Sequence, residues 1–235
     1  MFFMPAALSA RGPEIAAGWA GSLTMGAGQF CTNPGICVVL DGPDADAFID
    51  TATKALKEFG PQTMLTDGIA AAYRDGGVKI SKANGVQELI ASTCDLRSAA
   101  PYLFETTGKE WLENELLGEE VFGPLGLIVR AQNMEELLDI AKSLKGQLTC
   151  TIHLDDEDAQ EAQKLLPILE RKAGRILANG FPTGVEVCDA MVHGGPYPAS
   201  TNFGATSVGT LSIRRFLRPV SYQNIPASVL PADIA

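Results

Sequence analysis

Short apolar runs alternate along this chain with segments whose apolar residues recur at helical spacing. We predict strands where apolar residues are continuous or alternate, and helices where they recur every three or four positions. The predicted strands are a short one at the amino end, 36–40, 101–107, 125–131, 148–154 and 174–179. The predicted helices are 13–30, 44–59, 110–117, a segment after Asn133, and 155–173. This alternation indicates an α/β domain with a mostly parallel sheet and flanking helices.

Local signals place several boundaries of these elements. Pro13 suits the first turn of the first helix, because the N–H that proline lacks has no partner there. Asn133 is positioned to cap the helix that follows, and a glutamate three residues later has the spacing of a capping box. We predict a mixed helical segment over 61–98, with turns at 75–77 and 84–85, where Gly follows Asp or Asn.

Two segments near the carboxyl end lack these patterns. Residues 180–209 are rich in Gly, Pro, Ser, Thr and Asn, and so long a loop in a compact domain is usually functional or disordered. Residues 210–235 begin with an alternating run, which favours a strand extended onto another subunit or domain. We therefore divide the chain into one domain over 1–209 and a strand-like tail over 210–235.

Composition narrows the class of protein. The 235 residues carry 18 Lys and Arg against 28 Asp and Glu, a net charge of −10. This charge argues against nucleic-acid and anionic-membrane partners, and no apolar run is long enough for a membrane span. We expect reduced thiols in a cytoplasmic protein without a metal. The cysteines are odd in number and form no C-x-x-C pair, so they indicate neither a zinc site nor disulfides: Cys31, Cys37, Cys94, Cys150 and Cys188.

One cysteine has a sequence context that suits a nucleophile. Cys31 follows Gly26, Gly28 and Gln29, and glycines let backbone N–H groups approach whatever the sulfur attacks. Such groups can hold an oxyanion; the alternative is a small buried hydrophobic residue, as most single cysteines are. A helix favours negative charge at its N-terminus, whereas Cys31 follows a predicted C-terminus. Its activation therefore has to come from a nearby base, backbone amides or a bound cation.

Two motifs together resemble those of the aldehyde dehydrogenase superfamily. Residues 28–31, Gly-Gln-Phe-Cys, resemble its catalytic-cysteine motif G-Q-x-C, and residues 119–124, Glu-Glu-Val-Phe-Gly-Pro, resemble its E-E-[IV]-F-G-P motif. Segments 29–35, 179–187 and 193–199 resemble the branch that oxidises 2-oxoglutarate semialdehyde (2,5-dioxovalerate) and some fatty aldehydes, often with NADP. The resemblance covers nearly the whole chain and implies the superfamily's catalytic-domain fold.

The resemblance implies a role for each motif. Cys31 would add to an aldehyde and form a thiohemiacetal oxyanion, which its own backbone N–H would help to hold. Hydride would pass to a nicotinamide, and water would hydrolyse the resulting thioester. Glu120 would accept hydrogen bonds from the nicotinamide-ribose hydroxyls, and Phe122 would pack against the cofactor. The alternative for Glu119 and Glu120 is a solvated loop, because carboxylates are mostly exposed.

Other residues are implied to lie near the substrate. We expect Gln29 to shape the turn before the cysteine rather than to react. We expect the histidine of the 193–199 segment to lie near the site without taking part in the chemistry, and His153, inside a predicted strand, to be a satisfied structural histidine. The substrate-proximal set is therefore Gln29, Phe181, Pro182, Thr183 and His193.

The chain departs from the family in length. Full-length aldehyde dehydrogenases are much longer, and no G-x-G-x-x-G fingerprint follows a strand here. We expect the N-terminal cofactor-binding domain to be absent, together with the glutamate that activates water. NADP or NAD would bind mainly through that part, and the chain alone would be nearly inactive. The tail would join copies into a homo-oligomer.

Two other classes of function stay open. Cys31 can serve a thiol esterase or transferase that needs no nicotinamide. The chain can instead be a non-catalytic partner domain that assembles through its tail. Ester cleavage that is lost in Cys31→Ala, without cofactor binding, would favour the first, and assembly with an inert thiol would favour the second.

Overall fold

The computed structural model describes residues 1–92 and 94–234. Its strands are β1 (Phe2–Phe3), β2 (Ile36–Leu40), β3 (Gln62–Thr63), β4 (Val86–Ile90), β5 (Ser98–Ala99), β6 (Tyr102–Thr107), β7 (Leu125–Ala131), β8 (Gln147–His153) and β9 (Ala173–Ala178). Its α-helices are α1 (Pro5–Thr24), α2 (Pro43–Lys57), α3 (Asp67–Ser81), α4 (Gly108–Glu113), α5 (Met134–Ser143) and α6 (Ala159–Leu169). Short 3₁₀ turns span Met25–Gly28, Glu115–Gly118, Asp156–Asp158, Thr210–Phe216 and Ala227–Val229.

Seven of the strands form one sheet in the order β4-β6-β7-β2-β1-β8-β9. Every neighbouring pair is parallel except the edge pair of β4 and β6, which is antiparallel. Strands β3 and β5 form a separate antiparallel pair. The prediction of an α/β fold with a mostly parallel sheet is therefore confirmed.

Side chains from alternate positions of each strand enter different layers of the core. Phe2 packs with residues of α3 to α6, whereas Phe3 packs with residues of α1 and α2. The same alternation recurs in β2, where Val38 faces the first layer and Cys37 and Val39 the second. Successive side chains of a strand point to opposite faces of a sheet, so helices cover both faces. Such burial explains why the central strands read as continuous apolar runs.

The first helix begins earlier than predicted. Pro5, not Pro13, occupies its first turn, and the predicted amino-terminal strand is only two residues long. Pro13 lies inside α1, and Arg11 leaves helical geometry two residues before it, with φ −132° and ψ 16°. A proline inside a helix removes one hydrogen bond and disfavours helical geometry just before it. The helix therefore continues through a kink.

The turn predicted at 75–77 is wrong, because these residues lie inside α3. Their glycines serve close packing instead. A Cβ at Gly77 would lie 2.5 Å from the Tyr102 ring, and one at Gly76 would lie 2.7 Å from Val121. The turn at 84–85 is confirmed, with Gly85 at φ +70°. Strand β4 directly follows it and was missed within the predicted mixed helical segment.

The tail, predicted to extend as a strand onto another subunit or domain, forms no strand within the described part of this chain. Thr210–Phe216 forms a 3₁₀ turn, in which Ser212 N–H donates to the Gly209 carbonyl at 3.1 Å. A strand needs a neighbour for its backbone groups, and local bonds satisfy some of them here. The 180–209 loop contains neither helix nor strand, as predicted.

Candidate active site

A cleft with a volume of about 600 Å³ opens at the amino-terminal ends of the parallel strands. Cys31 lies in the segment that leads into β2, and residues 118–123 lie in the segment that leads into β7. Residues 144–146, before β8, complete this side of the cleft. The two motifs singled out from the sequence therefore line the same cleft.

The turn before Cys31 has an unusual backbone. Gly26, Ala27 and Gly28 all have left-handed geometry, with φ values of +58°, +57° and +65°. Alanine rarely adopts this geometry, and the side chain of Gln62 stabilises it from both sides. Its Oε1 accepts from the Ala27 N–H at 3.0 Å, and its Nε2 donates to the Thr24 carbonyl at 2.8 Å. Gln62 therefore fixes where α1 ends and where the cysteine segment begins.

Gln29 acts on the same turn. Its Nε2 donates to the Gly26 carbonyl at 3.0 Å, and its Oε1 accepts from the Leu65 N–H at 2.8 Å. Both polar ends of the side chain are thereby used within the fold. Gln29 is not among the residues that line the cleft.

The two motifs touch backbone to backbone. A Cβ at Gly28 would lie 2.3 Å from the carbonyl carbon of Gly123 and 2.4 Å from the nitrogen of Pro124. Only a residue without a side chain fits between them. Gly123 itself has φ +156°, and a Cβ there would lie 2.2 Å from the Tyr73 ring. The glycines of both motifs therefore hold the cysteine segment against the 119–124 segment.

Cys31 contacts a histidine from a distant part of the chain. Its Sγ lies 3.3 Å from Nε2 of His193, and Cys31 is exposed to the cleft. Thr206 Oγ1 accepts from the His193 backbone N–H at 2.7 Å, which anchors the histidine. Burial lowers the pKa of His193, and the positive charge of Arg175 lowers it further. The thiol therefore faces a neutral imidazole, which can accept a proton.

Of residues 181–183, one lines the cleft and the other two contact α1. Pro182 lines the cleft, and its carbonyl accepts from Thr32 Oγ1 at 2.9 Å. Phe181 packs against Gly18 of α1. Thr183 Oγ1 forms a hydrogen bond of 2.5 Å with Ser22 Oγ. Of the three, Pro182 is the one that the structure brings to Cys31.

The 119–124 segment presents an acid and an aromatic ring to the cleft. Glu120 and Phe122 both line it and are partly or fully exposed. Within residues 1–92 and 94–234, Glu120 forms no hydrogen bond or ion pair. Glu119 instead pairs with Lys79 at 2.6 Å, and this hydrogen bond lowers the pKa of Glu119. The neighbouring glutamates therefore differ, one in a surface ion pair and one open to a ligand.

His153 is structural but not satisfied. It is 2% exposed, and its ring lies 5.3 Å from that of Phe3 and 5.2 Å from that of Phe181. Neither ring nitrogen has a hydrogen-bond partner in the part of the chain that the structure describes. Burial lowers the pKa of His153 to about 4. It lies at the carboxyl end of β8, whereas the cleft lies at the amino-terminal ends of the strands.

Sequence reasoning missed Thr32, Gln62 and Arg175, which hold the cysteine segment and residues 182–184 of the loop. The available signal was Arg175, a cation inside an otherwise apolar strand. The described residues contain no group of three His, Cys, Asp or Glu that could hold a metal ion. Nor does any helix among them have the length and apolar character that crossing a membrane requires.

The chain is similar in sequence to known proteins. No family model matches the chain. It is 51% identical to alpha-ketoglutaric semialdehyde dehydrogenase 2 of Azospirillum brasilense over 98% of its own length, and 43% identical to alpha-ketoglutaric semialdehyde dehydrogenase of Acinetobacter baylyi over 97%. The chain spans 44% of the length of each of these curated relatives.

A solved structure decides the fold. Betaine aldehyde dehydrogenase of Staphylococcus aureus, in complex with NAD⁺, superposes with a TM-score of 0.69 at 16% identity. The superposition covers 92% of this chain and 43% of that one. The chain has the fold of an aldehyde dehydrogenase catalytic domain. The resemblance to the aldehyde dehydrogenase superfamily, inferred from the two motifs, is confirmed by the two curated relatives, both named as semialdehyde dehydrogenases.

Proposed function

We propose that this chain supplies the nucleophile of an NAD(P)-dependent semialdehyde dehydrogenase. The substrate is an aldehyde, with 2-oxoglutarate semialdehyde or a fatty aldehyde as the candidates, and the product is the carboxylic acid. The observation that carries the proposal is that Cys31, which lies 3.3 Å from His193, lines the same cleft as Glu120. The names of the two curated relatives support the semialdehyde.

The first step is addition of Cys31 to the aldehyde. The sulfur forms a bond to the carbonyl carbon, while the π electrons move onto oxygen and give a thiohemiacetal oxyanion. His193 Nε2 accepts the thiol proton, because its imidazole is neutral and in contact with the sulfur. The Cys31 backbone N–H donates no hydrogen bond within the described residues, so it remains available for the oxyanion. This assignment gives His193 the role of a base, beyond the passive position expected from the sequence.

The residues at the cleft fit the nicotinamide end of a dinucleotide. The unpaired carboxylate of Glu120 is an acceptor for ribose hydroxyls, and the Phe122 ring offers an apolar face. A bound NADP or NAD would supply a hydride acceptor, and loss of hydride from the thiohemiacetal carbon would leave a thioester on Cys31. One such contact contributes little of the affinity that a dinucleotide needs. We therefore expect the chain alone to turn over slowly.

Hydrolysis then releases the acid. Water attacks the thioester carbon, the carbon–sulfur bond breaks, and the electron pair returns to Cys31. The proton that His193 took from the thiol passes to solvent before this step, so the imidazole in contact with Cys31 is free again to accept the proton of the attacking water. A positioned base contributes roughly a hundred- to ten-thousand-fold to the rate of such a step.

We propose further that the tail joins copies of this chain into a homo-oligomer. Its apolar residues are exposed in the single chain, and exposed apolar surface marks interaction sites. Light scattering on the chain and on a variant that ends at residue 209 measures this, with a smaller assembly expected for the variant. The exposed apolar residues of the tail include Ile213, Phe216, Leu217, Val220, Tyr222 and Val229.

A stoichiometric reaction tests the proposed chemistry, because it detects even slow turnover. The chain is incubated with excess semialdehyde and NADP or NAD, and reduced nicotinamide is counted per chain. We expect about one equivalent or more from the unmodified chain and from Cys188→Ser, a control at another exposed thiol. We expect none from Cys31→Ser, so equal yields with that variant would contradict the proposal.

The same experiment separates the thiol esterase alternative, which the comparisons do not favour. An activated ester forms an acyl-Cys31 thioester in either case. The esterase would be supported if the ester acylates Cys31 but prolonged incubation with the aldehyde forms no reduced nicotinamide. A Cys31 that neither acylates nor reduces the cofactor would support the non-catalytic domain.

A further inference from the structure

Arg175 lies within β9 and extends its side chain towards the loop that follows. Its Nε donates to Thr149 Oγ1 at 3.3 Å, its Nη1 to the Gly184 carbonyl at 3.0 Å, and its Nη2 to the Pro182 carbonyl at 2.7 Å. Among residues 1–92 and 94–234 it has no ion pair with any acid. The guanidinium therefore ties two strands and a loop together by its fork geometry, without a compensating negative charge.

The carbonyl of Pro182 connects this arginine to the cysteine. It accepts from Arg175 Nη2 and also from Thr32 Oγ1 at 2.9 Å. Thr32 is buried and directly follows Cys31 in the chain. A shift of the Pro182 carbonyl thus pulls on the residue next to the sulfur, although Thr32 and Pro182 lie 150 residues apart in sequence.

The positive charge of Arg175 also acts on Cys31 and His193. Burial lowers the pKa of Arg175, and the proximity of Cys31 opposes that shift. At His193, burial is the larger cause of the lowered pKa and the Arg175 charge is the second. Cys31 is the other titratable group in contact with His193, at 3.3 Å. A half-buried cation without an acidic partner is unfavourable for folding, which favours a role at the site.

We propose that Arg175 is a positioning residue, which fixes the Pro182 carbonyl that anchors the Cys31 segment and places a positive charge beside the Cys31–His193 pair. This inference rests on the proposed role of Cys31 as the nucleophile. Arg175 touches neither substrate nor cofactor in it. It acts through Thr32 on the place of the sulfur and through its field on the proton acceptor.

Two substitutions separate the two effects. Arg175→Gln removes both the charge and the fork, whereas Arg175→Lys keeps the charge and loses the fork. The chain has 2 histidines, so proton NMR resolves His193 with His153 as the internal reference. We expect the pKa of His193 to rise in Arg175→Gln and to return towards its original value in Arg175→Lys.

The second readout is the alkylation of Cys31 by iodoacetamide, followed by peptide mapping, with Cys188 as the internal control. We expect both Arg175 variants to slow it about fivefold, the factor that corresponds to loss of the one neutral hydrogen bond from Thr32 to the displaced Pro182 carbonyl. Thr32→Val should slow it similarly while the pKa of His193 stays unchanged, because the arginine remains in place.

An unchanged pKa of His193 in folded Arg175→Gln overturns the inference, as does an unchanged ratio of Cys31 to Cys188 labelling in Thr32→Val. If neither Arg175 variant folds, Thr32→Val alone decides. A Cys31 that reacts no faster than Cys188 in the unmodified chain counts instead against the proposed function.

Discussion

Gly28→Ala tests whether the two motifs are held together by direct backbone contact. The added methyl group would lie 2.3 Å from the Gly123 carbonyl carbon, and both contacting atoms belong to backbone that cannot rotate away. Overpacking of this kind costs about 1–3 kcal/mol. Left-handed geometry, here φ +65°, costs an alanine a further 1–2 kcal/mol, roughly. The expected loss is therefore about 2–5 kcal/mol of unfolding free energy.

Thermal unfolding followed by circular dichroism measures this loss. For a domain of this size each kcal/mol lowers the Tm by about 2–4 °C, so we expect a decrease of roughly 4–20 °C. Gly21→Ala is the matched control, because it adds the same methyl group inside α1 where nothing lies within 4 Å. Alanine is the better helix former by about 1 kcal/mol, so the control should be as stable or more stable. Equal melting temperatures for Gly28→Ala and the unmodified chain would refute the reasoning.

Three further predictions use other parts of the fold. Burial lowers the pKa of His153 from 6.5 to about 4, so between these pH values the unfolded chain binds a proton that the folded chain does not. The free energy of unfolding should therefore fall by about 3 kcal/mol as the pH drops from about 6.5 to about 4. Urea unfolding at several pH values measures this, and His153→Leu should depend less on pH. Asp158 accepts from three backbone N–H groups, those of Ala6, Ala7 and Asp155, so Asp158→Ala should cost about 2–5 kcal/mol in thermal unfolding, with a smaller loss for Asp158→Asn, which keeps an acceptor oxygen. In the native chain iodoacetamide should modify Cys31 and Cys188 and spare Cys37 and Cys150, since burial raises the pKa of the Cys37 thiol to about 12 and also raises that of Cys150; mapped label on Cys37 without unfolding would contradict the packing.

The sequence predicted best those features that depend on local pattern. The bounds of β2 and β7 agree with the structure to the residue, because each is a mostly apolar run, interrupted in β7 by Arg130, that ends in polar or turn residues. Asn133 caps α5 as predicted, with its Oδ1 accepting from the Glu136 N–H at 3.0 Å. The resemblance of two short motifs led to the fold, since they are specific and the structure brings them to one cleft.

The errors arose where one local signal allowed two outcomes. Proline suits a first turn, and the chain offers Pro5 and Pro13; packing of the earlier turn selected Pro5. Consecutive glycines suit a turn, yet at 76–77 they make room in α3 for neighbouring side chains. The alternating pattern of the tail suits a strand, but a strand forms only where a neighbour supplies hydrogen bonds.

The site contacts could not be predicted from spacing at all. The thiol and imidazole lie 162 residues apart in the chain, and the bond from Thr32 to Pro182 spans 150. Such contacts follow from the order of the strands in the sheet rather than from any local preference. The sequence predicts that the 180–209 loop is functional or disordered, but the partner of its histidine is clear only from the assembled fold.

The two-residue strand β1 has a consequence for how this chain is made. Phe3 pairs with Val39 on one side and with His153 on the other, so it joins the two halves of the sheet. On a ribosome that adds about 5–20 residues per second, His153 emerges roughly 8–30 s after Phe3. Throughout that interval two large aromatic side chains lack half of their final surroundings, and a chaperone that shields them would raise the yield of correctly assembled protein.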